Sequence, residues 1–432
     1  MKLKGEQNNR LYFCDLHIHS KYSRATSLRM NFKEMSRYAE MKGLDLLGTG
    51  DFTHPSWFEE CRIYLREVGD SGVYAPIDSN THIRYMITGE VSTIFTFEDK
   101  VRKIHHIIFA PNLEVAAQIN DRLERFGDLA VDGRPTLEMS APELVEEVME
   151  TSKECMVIPS HIWTPWFSLF GAFSGFDRIE DCYQDQTKNI YAVETGLSSD
   201  PPMNWRVSSL DRYLLVSNSD SHSPWPWRLG REANVFELTE CSYDCIKEAI
   251  MRVGPSRMVF TIETDPSYGK YHWTGHRKCK VSLSPEEAIK VGNICPVCGR
   301  RLTKGVSQRV EELADRPPGY VPPDAPGYKH LLPLSEIIQT VKGVSSLNTR
   351  FVWEIYSRLV KYFGDEYTVL LEAPLKEMVK IVDVDIAKAI VHVREGKVQI
   401  IPGFDGEYGK ILLFPEPTEV EKKGTYTLDD YF

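Results

Sequence analysis

The sequence predicts an α/β fold over residues 11 to about 262, and three observations carry that expectation. Short apolar runs recur along this stretch: LYFCDLHIH, LDLLGTGDF, IRYMITGEV, KIHHIIFAP, CMVIPSHIW, IYAVETGL and YLLVSNSDSH. Segments with helical spacing, at 31–43, 112–126 and 141–153, separate several of them. The chemistry-bearing side chains all stand at the C-terminal ends of the runs, the place where barrel active sites are built. Strands alternating with helices favour a parallel sheet, either doubly wound or closed into a barrel.

Composition agrees with a globular protein. The 432 residues carry 51 Lys+Arg against 62 Asp+Glu, a net charge of −11, with 42% apolar and 26% charged residues, which excludes disordered and fibrous classes. The length supports two or three domains and a large core. No apolar run reaches the roughly 18 residues of a membrane span, and the N-terminal MKLKGEQNNRLYF lacks the apolar stretch of a signal peptide. Nine scattered cysteines, an odd number, point to a reducing cytoplasm rather than a disulfide framework. The acidic balance disfavours indiscriminate nucleic-acid binding.

The first strand ends in Asp15-Leu-His17-Ile-His19. Residues two apart on a strand share a face, so His17 and His19 aim two imidazoles at one point. Later strand ends add Asp51, Glu90, His105 and His106, His161, Glu194, and the Asp220-Ser-His222 pair. Eight of the twelve histidines precede residue 223. Imidazoles with carboxylates, and no cysteine, form the donor mix of a catalytic zinc, manganese or iron site. So many donors exceed the needs of one ion and suit a carboxylate-bridged cluster for hydrolysis at phosphorus. His105 and His106 cannot both face inward on a regular strand, and His106 is the preferred one.

DLHIHSKYS followed by GTGD, GE, IHHII, PSH, VE and SDSH resembles the PHP (polymerase and histidinol phosphatase) family over about residues 11–240. The resemblance implies a distorted seven-stranded β/α barrel, a trinuclear metal centre and phosphoester hydrolysis. It also implies metal ligation by His17, His19, Asp51, Glu90, His106, His161, Glu194, Asp220 and His222. Zinc is the expected occupant, with magnesium or manganese as alternatives. Two positions depart from the family pattern: Arg24 stands where an acidic residue often follows the HxHS segment, and the usual TDH triplet reads Thr49-Gly50-Asp51.

Beyond Glu263 the texture changes. Residues 268–305 hold eight Lys and Arg against two Glu, and within them lie His276-Arg-Lys-Cys279 and Cys295-Pro-Val-Cys298. Two such knuckles can grip one structural zinc ion, which supplies folding energy to a segment too small for its own core. His272 is the rival to His276. The positive charge, notably Lys278, Lys280, Arg300 and Arg301, suits contact with a phosphate backbone. A stiff Pro/Gly-rich linker follows at 316–328, and residues 333–392 return to helical periodicity. At the C-terminus, Leu428, Tyr431 and Phe432 in TLDDYF resemble the peptide box that docks on the DNA sliding clamp.

The predicted organisation is therefore a catalytic barrel at 1–262, a zinc module at 263–312, a linker at 313–330, a helical DNA-binding domain at 331–415 and a flexible tail at 416–432. The order as a whole resembles that of PHP-domain DNA-repair endonucleases. It implies hydrolysis of the phosphodiester bond 5′ to a deaminated base (uracil, hypoxanthine, xanthine) or an abasic site, with the lesion nucleotide flipped out. Damaged DNA and a sliding clamp are the implied partners. Asp200 is the candidate for positioning or deprotonating water, with an Asx-turn as its structural alternative, and Arg24 for neutralising a phosphate oxygen. Trp163, Trp166 and Trp225 are candidates for stacking on a base, a contact worth about 1–3 kcal/mol. The competing expectations are a PHP phosphatase of a small phosphoester and a non-catalytic DNA- or clamp-binding adaptor.

Overall fold

The computed structural model describes residues 9–414 apart from residue 78. Its architecture is mixed α/β. The strand Arg10–Asp15 lies inside an eight-stranded sheet, parallel to Leu46–Gly48 on one side and antiparallel to Ala233–Leu238 on the other. Leu46–Gly48 continues the parallel pairing to Arg84–Met86. A four-stranded sheet follows, built on the ten-residue antiparallel pair Thr88–Phe97 and Lys100–Phe109. Ala192–Glu194 and Leu214–Val216 form a separate parallel pair.

Hydrogen bonds carry the chain from one group of strands to the next. Thr49 N donates to Met86 O, Ala110 N to Ile87 O, Ile162 N to Glu194 O, and His19 N to Ser221 O. They link strands whose ends lead into His17, Asp51, His161 and Asp220, whereas Glu90 and His105 stand within the antiparallel pair Thr88–Phe97 and Lys100–Phe109 rather than at a C-terminal strand end. The expected run of parallel units is broken by antiparallel pairs, and for the long pair Thr88–Phe97 and Lys100–Phe109 the reason is local. The turn Glu98-Asp99 has positive φ at both residues (48° and 58°), the conformation that lets a two-residue loop follow the strand twist. Glu-Asp lacks the Asn-Gly signature by which such turns are read from sequence.

The helices begin where polar side chains accept orphan amides. Asn31 caps Phe32–Lys42 through Glu34 N, and Gly43 ends that helix at φ 99°. Ser140 and Glu143 form a capping box on Ala141–Thr151.

The C-terminal helices are not a detached unit. Leu334, Ile337, Ile338, Tyr356, Leu359 and Tyr367 belong to the same apolar cluster as Tyr38, Leu44 and Leu47. Lys42 lies 2.7 Å from Glu366 within this contact, both side chains almost fully buried. The stretch expected to be linker also ends differently: Gly327–His330 is a strand, paired in parallel with Arg257–Glu263. The hairpin Gln399–Ile401/Lys410–Leu412 leans on the zinc-type module, where Arg277 N donates to Asp405 Oδ2 at 2.6 Å. Among the described residues no helix is long and apolar enough to cross a membrane.

Candidate metal centre

His17 and His19 follow the first strand and are fully buried side by side, their ring centroids 5.5 Å apart. Each is held by a carboxylate behind it. His17 Nδ1–H donates to Glu194 at 3.0 Å, and His19 Nδ1–H donates to Asp51 Oδ1 at 2.8 Å. Such bonds select the tautomer that leaves the Nε2 lone pair free to ligate a metal. Both Nε2 atoms then face Glu90 Oε2, at 3.4 and 3.3 Å, and Asp220 Oδ1, at 3.6 and 2.9 Å.

Two groups of metal-type donors result, each with its atoms within 4.8 Å of one another: His17, His19, Glu90 and Asp220, and Glu90, His105 and His161. Glu90 belongs to both. Its Oε1 lies 3.2 Å from His105 Nδ1 and 3.1 Å from His161 Nε2, and its Oε2 lies 3.0 Å from Arg134 Nη1. His17 Nε2, His19 Nε2 and Asp220 Oδ1 are buried yet have no hydrogen-bond partner. Buried polar atoms are normally satisfied. Three orphans aimed at one point, all of types that ligate divalent ions, fit a metal cofactor.

Electrostatics agree. Burial disfavours charge on His17, but Glu194 and Glu90 outweigh it and hold the imidazole well above its ordinary value. For His19, Asp51 and Asp220 do the same. Burial likewise opposes charge on Glu90, yet His105, His17 and Arg134 take its carboxyl well below the usual range. The pocket is built to hold positive charge.

Three site residues have a left-handed backbone that non-glycine residues rarely adopt: Asp51 (φ 48°), His161 (φ 30°) and Asp220 (φ 47°). Strain of this kind costs about 1–3 kcal/mol each and persists where surrounding contacts hold it. Gly50 explains the departure from the TDH pattern. At φ 65°, a Cβ there would lie 2.2 Å from Ile18 O, so only glycine lets this turn pack under the His17–His19 segment.

Several expectations need correction. His106 does not face the centre; it bonds Thr93 Oγ1 at 2.9 Å and Tyr183 OH at 2.8 Å on the opposite side of its strand, and His105 takes the inward position. Burial, with His105 adding to it, pushes the His106 imidazole down to about 3. Asp51 and Glu194 stand behind the ligand-type atoms rather than among them. Asp51 Oδ2 accepts from Ser20 N and Ser23 Oγ, and Glu194 accepts from Asn218 Nδ2 and His161 N. His222 is beside the first group, its ring 4.4 Å from that of His19, with Nδ1–H donating to Asp220 O.

Asp200 takes the cap role: Oδ1 accepts from Met203 N, and Oδ2 pairs with His330 Nε2 at 3.0 Å. The Arg24 side chain is 82% exposed and lies 3.5 Å from Asp132. The cation on the buried carboxylate is Arg134, which no spacing signals. Trp163 is fully buried and donates to Asn204 Oδ1, so it is core. Trp166 is exposed and stacks on Phe173 at 4.9 Å, whereas Trp225 is half-covered by Arg29 and Trp227.

In the basic module His276, Cys279, Cys295 and Cys298 converge within 4.8 Å, and His272 stands outside the group. The residue after each knuckle is left-handed, Lys280 at φ 56° and Gly299 at φ 70°, which is what folds each pair back on one point. Lys278, Arg300 and Arg301 are exposed there; Lys280 is tied to Glu407 at 2.7 Å. Leu428, Tyr431 and Phe432 lie outside the described residues.

A family model described as the MJ0043 C-terminal domain matches residues 333–397. The chain is 38% identical over 265 residues to uncharacterized protein MJ0043 of Methanocaldococcus jannaschii; the match takes in 60% of this chain but spans only 32% of that relative's length. Uncharacterized protein YqxK of Bacillus subtilis is 30% identical over 420 residues, 92% of this chain and 98% of its own. The crystal structure of the lesion-specific endonuclease PfuEndoQ from Pyrococcus furiosus is similar at a TM-score of 0.84 and 33% identity, covering 95% of this chain and 98% of that one. Endonuclease Q in complex with a 27-mer duplex substrate carrying an abasic lesion at the active site is similar at a TM-score of 0.83 and 33% identity, over 95% of this chain and 99% of that one.

Proposed function

The chain belongs to the endonuclease Q family, and from that premise we propose that its metal centre cuts DNA on the 5′ side of a deaminated base (uracil, hypoxanthine or xanthine) or an abasic site. It is a lesion-specific DNA endonuclease. The observation that carries the site assignment is the pair of donor groups sharing Glu90, with three buried donor atoms left unbonded.

Divalent ions in this centre would supply a water deprotonated near neutral pH and a clamp on the scissile phosphate. His17, His19, Glu90 and Asp220 would hold one ion, and Glu90, His105 and His161 a second. Asp51 and Glu194 hold the His19 and His17 rings in place, so their Nε2 atoms would be oriented for metal binding in advance. His222, its Nδ1–H committed to Asp220 O, would have Nε2 left to serve as a further ligand or a proton acceptor. Zinc suits the His276, Cys279, Cys295 and Cys298 set, and zinc, magnesium or manganese the centre. We read the linked strands as a distorted PHP barrel, with the module at 263–312 and the helices at 331–415 extending the DNA-binding face. Lys278, Arg300 and Arg301 would contact phosphates. The last residues would recruit a sliding clamp.

The test is nicking of duplexes that carry one uracil, hypoxanthine or abasic site, mapped at nucleotide resolution with defined metals. A metal-dependent nick 5′ to the lesion is the expected result. Release of phosphate from small monoesters, with no nicking, would overturn the reading in favour of a small-phosphoester phosphatase.

A further inference from the structure

Residues 21–30 form a tight loop between the His17–His19 segment and the helix Phe32–Lys42. It is pinned from both ends: Lys21 N donates to Met30 O at 3.2 Å, and Ser27 N to His222 O at 2.9 Å. Within it Met30 N donates to Ser27 O, Arg29 N donates to Ser27 Oγ, and Met30 is fully buried as its base. Arg29 pairs with Glu34 at 2.7 Å and lies 4.7 Å over the Trp225 ring. At the tip of this braced loop stands Leu28, 80% exposed, the most exposed large apolar side chain among the described residues.

One exposed leucine means little by itself. The position of this one carries the argument. Ala25, Thr26 and Ser27, directly before it, line a cavity of about 530 Å³ together with Asp220, His222 and Arg228. That size falls within the roughly 300–1,000 Å³ of small-molecule pockets. The cavity opens on a donor group of the metal centre. Arg24 and Arg29 flank the tip, with side chains 82% and 50% exposed. A rigid apolar tip between two cations, beside a pocket that adjoins the scissile-bond chemistry, has the form of a side chain that enters a base stack. Extruding a nucleotide leaves a gap in the duplex, and an inserted apolar group offsets part of the unstacking cost.

We infer that Leu28 is the wedge that occupies the duplex where the lesion nucleotide leaves it. The inference rests on the endonuclease reading above. Because Leu28 is 80% exposed and outside the apolar core, its replacement should leave the fold intact. The experiment compares full-length, metal-replete wild type, Leu28→Ala and Leu28→Met in single-turnover nicking of uracil in a paired duplex and of uracil in a single strand. Leu28→Ala should slow cleavage of the paired substrate by about tenfold or more and of the unpaired one by less than about threefold, with Leu28→Met recovering most of the loss. In an Asp220→Asn background, 2-aminopurine opposite the lesion should brighten on binding, and Leu28→Ala should remove that signal. Equal loss on both substrates, or no loss on the duplex, overturns the wedge. A wild-type protein that nicks neither substrate overturns the endonuclease reading itself, and the wedge with it.

Discussion

Arg134 Nη1 lies 3.0 Å from Glu90 Oε2, so the carboxylate common to both donor groups carries a cation supplied by the chain itself. Burial works against charge on Arg134, but Glu90 and Asp220 more than restore it. Replacing a group that orients a ligand typically costs about 10–100-fold in metal affinity or activity. Arg134→Ala should therefore lower the single-turnover nicking rate by about that factor. Arg134→Lys, which keeps the charge but loses the planar fork, should fall between. An Arg134→Ala enzyme that cuts at the wild-type rate would remove Arg134 from the site.

The adjacent residues His105 and His106 should separate cleanly. His105→Ala takes away a donor, so bound metal measured by elemental analysis should fall together with nicking. His106→Ala leaves the Thr93 and Tyr183 hydroxyls without their buried partner. That should cost about 1–3 kcal/mol in denaturant unfolding while metal content stays at the wild-type level. The reverse pattern would assign the donor role to His106 and the packing role to His105.

The buried ion pair between Lys42 and Glu366 joins the catalytic core to the C-terminal helices. Burial pushes Lys42 below the ordinary lysine value, and Glu366 pulls it part of the way back. Lys42→Met strands a carboxylate in the core, which should cost about 3–5 kcal/mol by denaturant unfolding. The double variant Lys42→Met/Glu366→Leu should recover much of that loss, because the stranded charge is gone. A single variant as stable as wild type would contradict the burial.

His330 gives a pH dependence of defined sign. Burial lowers its pKa, but the hydrogen bond and charge of Asp200, with Asp265 4.0 Å from Nδ1, raise it above the ordinary value. A raised folded-state pKa stabilises the fold fully below the unfolded value of about 6.5, and that contribution is lost as pH rises through the folded value. The melting-temperature difference between wild type and His330→Gln should be largest near pH 5.5 and shrink above neutrality. A difference that grows with pH would show that His330 is held neutral.

Much of the site was legible in the primary structure because its motifs are local. His17 and His19 share a face by strand periodicity, and the HxxC and CxxC knuckles each close within one turn, so spacing alone pairs these donors. Glu90, His161 and Asp220 were legible as polar residues closing apolar runs. Which imidazole of His105 and His106 turns inward was not, because the pairing of Lys100–Phe109 with Thr88–Phe97 is set by a Glu98-Asp99 turn without the usual signature. Arg134 reaches Glu90 from a loop 44 residues away, and Asp51 and Glu194 became orienting groups because neighbouring amides and hydroxyls already occupy their oxygens. Asp200 and Trp163 were likewise claimed by a helix cap and by the core. The sequence by itself determined the chemistry on offer: imidazole, carboxylate and thiolate at strand ends and knuckles. The tertiary structure decided which of those atoms remain unbonded at a common point, since a donor is available to a metal only when packing has left it no other partner.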